Sequence, residues 1–162
     1  MLVSKRIEPF FRMTQQKQDG DNTLVEGMLT CCNAMDFEVF VAGEIRHRIF
    51  SKMCLFPKNN RIILEARCKK CGKAILVFDS SCDGYEQCGN NQYTHITTKH
   101  INCKKCLDDC YSVIIRYEYP NAQELDELEF KEIENAFTWI WITLVCNSCG
   151  TSYLNFVDYE TS

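Results

Sequence analysis

Three pairs of cysteines stand three positions apart: Cys68 and Cys71, Cys103 and Cys106, and Cys146 and Cys149. A Cys-x-x-Cys turn brings two thiolates onto one ion, and two such turns complete a closed tetrahedral site. Cys103, Cys106, Cys146 and Cys149 meet that requirement in full. Gly72 and Gly150 directly follow two of the pairs, where a positive φ helps to tighten the turn. The pair Cys68 and Cys71 needs two further ligands, and upstream the sequence offers the adjacent residues Cys31 and Cys32. Neighbouring side chains tend to diverge, so three arrangements stay open. Both cysteines ligate, or Cys32 is joined by Cys54 or His47, or the site is degraded. The expected set is Cys32, Cys68 and Cys71 with Cys31. Zn2+ is the expected ion, one in the complete group and a second in the group that depends on Cys31. Four thiolates also accept iron.

Twelve Cys in 162 residues would equally suit a disulfide-stapled secreted chain. The opening residues carry no apolar run of signal-peptide type, and no segment approaches the ~20 apolar residues of a membrane span. A reducing, cytoplasmic location is therefore expected, where Cys-x-x-Cys pairs bind metal more often than they bridge. The other cysteines, Cys54, Cys82, Cys88 and Cys110, read as small buried hydrophobes. His47, His95 and His100 form no pair with metal-ligand spacing.

Catalysis is not expected. A catalytic zinc keeps an open position, usually with His ligands and a nearby carboxylate, whereas an all-cysteine site is closed. No zincin motif, nucleophile elbow or phosphate loop is present. Each Cys-x-x-Cys-Gly leads into a strand-like run, whereas a thioredoxin-like pair opens a helix.

The cysteine pairs sit within a repeated pattern. Residues 64–78 align with residues 142–156 at a constant offset of 78, which places Leu76 on Leu154 and Phe78 on Phe156. Upstream, Cys32 and Cys106 each precede a strand-like run by seven residues at an offset of 74. The expected fold is mostly β, with two zinc-ribbon-like β units from an internal duplication and a short acidic helix inserted in the second. The expected boundaries are 1–22 for a polar lead-in, 23–90 for the first repeat and 91–162 for the second.

Strands are expected over Phe37–Val41, Arg61–Ala66, Ala74–Phe78, Ser112–Tyr119 and Phe137–Val145, all rich in β-branched or aromatic residues. Trp139 and Trp141 share one face of the last, Ile140 and Ile142 the other, and burial of both faces is expected. Residues 121–135 read as the helix, capped by Asn121, with Leu125, Leu128, Phe130 and Ile133 as its apolar edge. Gln15–Asn22 is polar and reads as a loop, with Phe10, Phe11 and Met13 packing onto the first repeat; Asp83–Gln92 reads as the connection.

The two-knuckle pattern resembles the zinc-ribbon fold and its rubredoxin-type knuckles. The stretch from Cys68 to Tyr85, with Cys-Lys-Lys-Cys-Gly-Lys, then Phe78-Asp79 and then Asp83-Gly84-Tyr85, is similar to that of small uncharacterised bacterial double-zinc-ribbon proteins. That resemblance implies a fold and no particular activity.

Charge is split along the chain. Residues 1–100 hold 14 Lys/Arg against 11 Asp/Glu, and residues 101–162 hold 4 against 11. The first repeat's excursion carries Arg46, Arg48, Lys52, Lys58 and Arg61, with Phe50 and Phe56 between them. The second carries Glu124, Asp126, Glu127, Glu129, Glu132 and Glu134. Opposed patches orient partners, so a non-enzymatic protein-binding or adaptor role is expected, with self-association a variant of it. The alternative is a nucleic-acid-binding or transcription-related ribbon working through the five cations, although the acidic excursion repels phosphate. A thiol redox switch is the third reading.

Overall fold

A computed structural model describes residues 1–49, 52–87, 94–127 and 132–161, apart from the side chain of Arg48. Phe50, Cys88, Leu128, Glu129, Phe130, Lys131 and part of the expected connection lie outside the described residues, and so does the side chain of Arg48.

Strands dominate. Along the chain they are β1 (Phe11–Asp19), β2 (Asn22–Leu29), β3 (Phe37–Ala42), β4 (Glu44–Arg48), β5 (Lys52–Phe56), β6 (Ile63–Cys68), β7 (Ala74–Asp79), β8 (Lys99–His100), β9 (Tyr111–Tyr119), β10 (Trp139–Cys146) and β11 (Ser152–Glu160). One helix, α1 (Ala122–Glu127), follows β9. The Asn121 side chain accepts a hydrogen bond from the Glu124 amide at its start. Ile133–Asn135 forms a separate 3-10 turn, so the expected stretch 121–135 is not one continuous helix.

Two three-stranded units carry the cysteines, β3-β6-β7 and β9-β10-β11, each antiparallel. Phe37 lies opposite Cys68 in the first, and Tyr111 opposite Cys146 in the second. Each unit also shifts register between its second and third strands, next to Leu64 in one and after Ile142 in the other. The units are joined by exchange. β2, which runs towards Cys31, pairs with β9 of the other unit, and β8, which runs towards Cys103, pairs with β3. At the centre Phe37 pairs directly with Tyr111, the residue 74 positions further on. These pairings map onto themselves under a two-fold rotation about a point between Phe37 and Tyr111. Among the described residues, the nine strands other than β4 and β5 thus belong to one curled sheet.

Alternation explains which face is covered. In β9 every odd-numbered residue from Tyr111 to Tyr119 is buried, and in β10 every even-numbered one from Ile140 to Cys146. Tyr117, Phe137, Phe78 and Tyr159 form an aromatic cluster between the units, with ring centroids 5.0–6.4 Å apart. β10 departs from expectation, because only its isoleucine face is buried. Trp139 and Trp141 stack on each other at 5.5 Å on the half-covered face, and the Arg116 guanidinium lies 4.3 Å over Trp141. Their neighbours on the sheet shield them in place of a second layer.

The polar segment expected as a loop is instead the edge strand β1. Its backbone pairs along β2 although nearly all its side chains are exposed. Phe11 packs on Tyr117 of the second unit at 6.2 Å, while Met13 is exposed. The β4–β5 hairpin is a separate two-stranded sheet that lies against β11.

The Phe78-Asp79…Asp83-Gly84-Tyr85 stretch is a lock between segments. Arg61 grips Asp79 with two hydrogen bonds of 3.0 and 2.6 Å, and Arg6 pairs with Asp83. Asp83 also accepts from the Asp79 amide. Tyr85 donates its amide to Phe137 O and Thr161 Oγ1. At Gly84 (φ +96°) an added Cβ would fall 2.3 Å from Thr161, so glycine is required on both counts.

Candidate metal centres

The two Cys-x-x-Cys-Gly knuckles are built alike. The Cys68 amide donates to Lys73 O and Gly72 donates back to Cys68 O; Cys146, Thr151 and Gly150 repeat this pair of bonds. Gly72 and Gly150 have φ of +74° and +75°, with nothing within 4 Å of an added Cβ, so backbone conformation and not space selects glycine there. The turn at Cys103 closes in the same way, with Leu107 at φ +66° in the glycine position.

Cys31 and Cys32 reach one centre by a different route. Cys31 and Ala34 exchange backbone hydrogen bonds of 3.0 and 2.9 Å, and Cys32 and Asn33 between them have φ of +54° and +57°. Two successive left-handed residues give the turn that normally closes a tight hairpin. A left-handed cysteine is unusual, and here that conformation turns the Cys32 side chain back beside Cys31.

The outcome is two groups of four thiols, Cys31, Cys32, Cys68 and Cys71, and Cys103, Cys106, Cys146 and Cys149. Within each, all sulfurs lie within 4.8 Å of one another. Cys31 Sγ stands 3.8 Å from Cys32 and 3.6 Å from Cys71. Cys103 stands 3.6 Å from Cys149, and Cys106 3.5 Å from Cys146. Sulfurs bound at ~2.3 Å to one tetrahedral ion are about 3.8 Å apart, whereas a disulfide needs about 2.05 Å. The spacing fits a shared cation. Cys54, expected as a possible replacement for Cys31, is buried in β5, and His47 lies in β4. Cys82 is buried, and Cys110 Sγ contacts Asp36 Oδ1 at 3.5 Å.

Both groups contain thiols disposed to ionise, Cys71 in the first and Cys103 and Cys149 in the second, the last through hydrogen bonds from the Thr151 hydroxyl and amide. Burial opposes ionisation of Cys103, but hydrogen bonds from Tyr153 Oη and from the Cys106 and Lys105 amides bring it down to about 6. Cys71 is brought down to about 7, chiefly by the Lys73 amide and then by the Cys32 and Cys31 thiols. Burial, with hydrogen bonding to Cys71, pushes Cys31 up to about 12, since neighbouring thiols cannot all ionise without a cation.

The second group has support that the first lacks. Tyr153 Oη accepts the Lys104 amide at 2.8 Å and lies 3.3 Å from Cys103 Sγ, and Thr151 Oγ1 lies 3.1 Å from Cys149 Sγ. The residues 78 positions earlier are Ile75 and Lys73. Tyr153 and Thr151 were not distinguishable in the sequence from ordinary strand residues.

The second knuckle of each unit also reaches into the other unit. Lys69, between Cys68 and Cys71, pairs with Asp109, which follows the Cys103–Cys106 turn. Asn147, between Cys146 and Cys149, donates to Asp36 Oδ1 at 2.7 Å and to Met35 O at 3.3 Å. Of the five cations assigned to nucleic-acid binding, Arg61 is held by Asp79, and Arg46 pairs with Glu44 while lying 4.4 Å over the Phe56 ring. Lys52 and Lys58 are exposed.

Among known proteins, no family model, curated protein or solved structure matches the chain. Among the described residues no helix is long and apolar enough to cross a membrane.

Proposed function

We propose that the chain holds one zinc ion in each four-cysteine group, and that both ions are structural. The observation that carries this is the gathering of eight sulfurs into two groups of four, all within 4.8 Å of one another, with seven of them 3.5–3.8 Å from a named neighbour. Four thiolates leave no open position for substrate, so the protein is read as non-enzymatic. The equal register of the first two strands in each three-stranded unit, and the reciprocal strand exchange, support an origin by internal duplication into paired zinc-ribbon-like units.

The role that follows is protein binding, in a reducing compartment such as the cytoplasm. Support comes from the charge split and from a half-covered tryptophan pair flanked by acidic residues on neighbouring strands. Trp139 lies opposite Glu118 and Glu160, and Trp141 lies between Asp158 and Arg116. The three carboxylates beside that pair disfavour phosphate, and the pairing of Arg61 with Asp79 and of Arg46 with Glu44 weakens the nucleic-acid reading further.

Native mass spectrometry of protein purified without added metal, with elemental analysis, tests the central claim. Two zinc ions per chain are expected. Loss of metal from only Cys31→Ser protein would still assign the first group. Zero metal, with masses reporting bridged thiols, would overturn the zinc reading in favour of redox chemistry.

A further inference from the structure

A third set of ligating atoms comes from residues that adjoin both cysteine-bearing units. Glu38, His100 and Asp109 come from β3, from β8 and from the loop after Cys106, and their donor atoms fall within 4.8 Å of one another. His100 Nε2 stands 3.5 Å from Asp109 Oδ2 and 3.9 Å from Glu38 Oε1. The His100 side chain is 34% exposed, but Nε2 itself is closed off from solvent and makes no hydrogen bond among the described residues. A buried ring nitrogen without a partner is costly, and one placed between two carboxylates invites a cation. Donors bound at about 2.0–2.2 Å to a common ion lie roughly 3–3.5 Å apart, and the two imidazole–carboxylate distances come within a few tenths of an ångström of that range.

The scaffold positions the imidazole independently of any ion. His100 pairs through its backbone with Phe40, and its ring lies 5.0 Å from the Phe40 ring. Arg67 covers that ring at 4.5 Å. Glu38 is two residues from Phe40 on the same face of β3. Lys69 holds the other carboxylate oxygen, Asp109 Oδ1, at 2.5 Å, leaving Oδ2 towards the imidazole.

The two-fold pattern supplies an internal comparison. The pairing of Phe40 with His100 corresponds to that of Ile114 with Met28. By the same offsets Asp109 corresponds to Met35 and Glu38 to Ser112. At that second position the Arg12 Nη2 lies 3.9 Å from Met28 Sδ and 3.4 Å from Met35 Sδ. The same backbone arrangement is therefore built without carboxylates or imidazole, and the fold does not demand them.

We infer that Glu38, His100 and Asp109 form a third, divalent-cation site of nitrogen and oxygen donors at the seam between the two units. Two carboxylates and an imidazole suit Mn2+, Fe2+, Co2+ or Zn2+, in contrast to the soft thiolate groups on either side. Lys69 competes with the ion for Asp109 and makes the site weaker than its ligands alone would.

The probe is Mn2+, which four thiolates hold poorly. It is titrated into the full-length, metal-loaded protein while electron paramagnetic resonance follows the free ion, and native mass spectrometry counts zinc in every variant. One Mn2+ per chain is expected. Binding should weaken at least about tenfold in His100→Ala and in Asp109→Asn, and tighten several-fold in Lys69→Met. Absence of binding at millimolar Mn2+, or binding unchanged in both ligand variants, would overturn the site. The zinc count reports separately on the cysteine groups, so either reading can fail alone.

Discussion

A thiolate that accepts a hydrogen bond holds its charge at lower cost, and Cys103 accepts one from a tyrosine fixed in turn by the Lys104 amide. Removing that hydroxyl leaves the four ligands in place but withdraws their support. Tyr153→Phe is expected to weaken zinc at the second group by roughly ten- to a hundredfold, read by chelator competition, while the first group is unchanged. The first group combines exposed Cys32 and Cys71 with no such tyrosine, so in the unaltered protein a chelator should empty it first. Away from the cysteines, Arg61 and Asp79 form a buried pair with side chains 14% and 0% exposed. Arg61→Ala strands the carboxylate and should cost about 3–5 kcal/mol in denaturant unfolding. Burial raises the Asp79 carboxyl, but hydrogen bonds from Arg61 and Ser81 outweigh it and hold it below its ordinary value. A depressed carboxyl stabilises the fold above its unfolded value of about 4, and that share is lost as pH falls through the lowered value. The difference between Arg61→Ala and the unaltered protein should therefore shrink below about pH 4. The Cys-x-x-Cys pairs were legible in the sequence because their chemistry is set by local spacing. Tyr153, Thr151 and the trio around His100 were not, because strand register alone brings them to their neighbours.

At the scale of elements, β1 and β2 show how a backbone pairing constrains a side chain. Gly27 lies beneath Phe11, and an added Cβ would stand 2.4 Å from Phe11 Cζ and 2.6 Å from Arg12 O. The ring could turn aside, but the carbonyl belongs to the paired strand. Gly27→Ala should cost about 1–3 kcal/mol and speed amide hydrogen exchange along Phe11–Asp19 more than in β6. The strands with a buried face were readable from their alternation. β1 was not, because an edge strand with solvated side chains on both faces has the composition of a loop. Its order derives from β2, which is itself held by β9. The adjacent cysteines are a similar case: the left-handed turn that makes Cys32 a neighbour of Cys31 carries no glycine to announce it.

For the whole molecule, the reciprocal exchange of strands decides how the halves depend on each other. β2 spends its inner edge on β9, with Thr23 opposite Tyr119 through Met28 opposite Ile114, and β8 adds to β3. The N-terminal residues close the same circuit, since Ile7 is fully buried and Phe11 meets Tyr117. A zinc knuckle can organise its own hairpin, but it cannot supply the opposite edge of β9 or cover Tyr117 and Phe137. Residues 1–87 and 94–162, produced separately with zinc, should therefore each lack the sharp unfolding transition of the intact chain. On mixing they should recover it as a one-to-one complex, with the near-ultraviolet signal of the buried tyrosines restored. A half that alone unfolds cooperatively, with its tyrosines already immobilised, would show instead that each unit is a self-sufficient domain and that the exchange only docks them. The repeat in the sequence suggests such independence, since matching motifs at constant offsets describe each unit from within. What it does not carry is the partner of each outer edge, β9 for β2 and β3 for β8, and the expected cooperativity of the two units rests on that pairing.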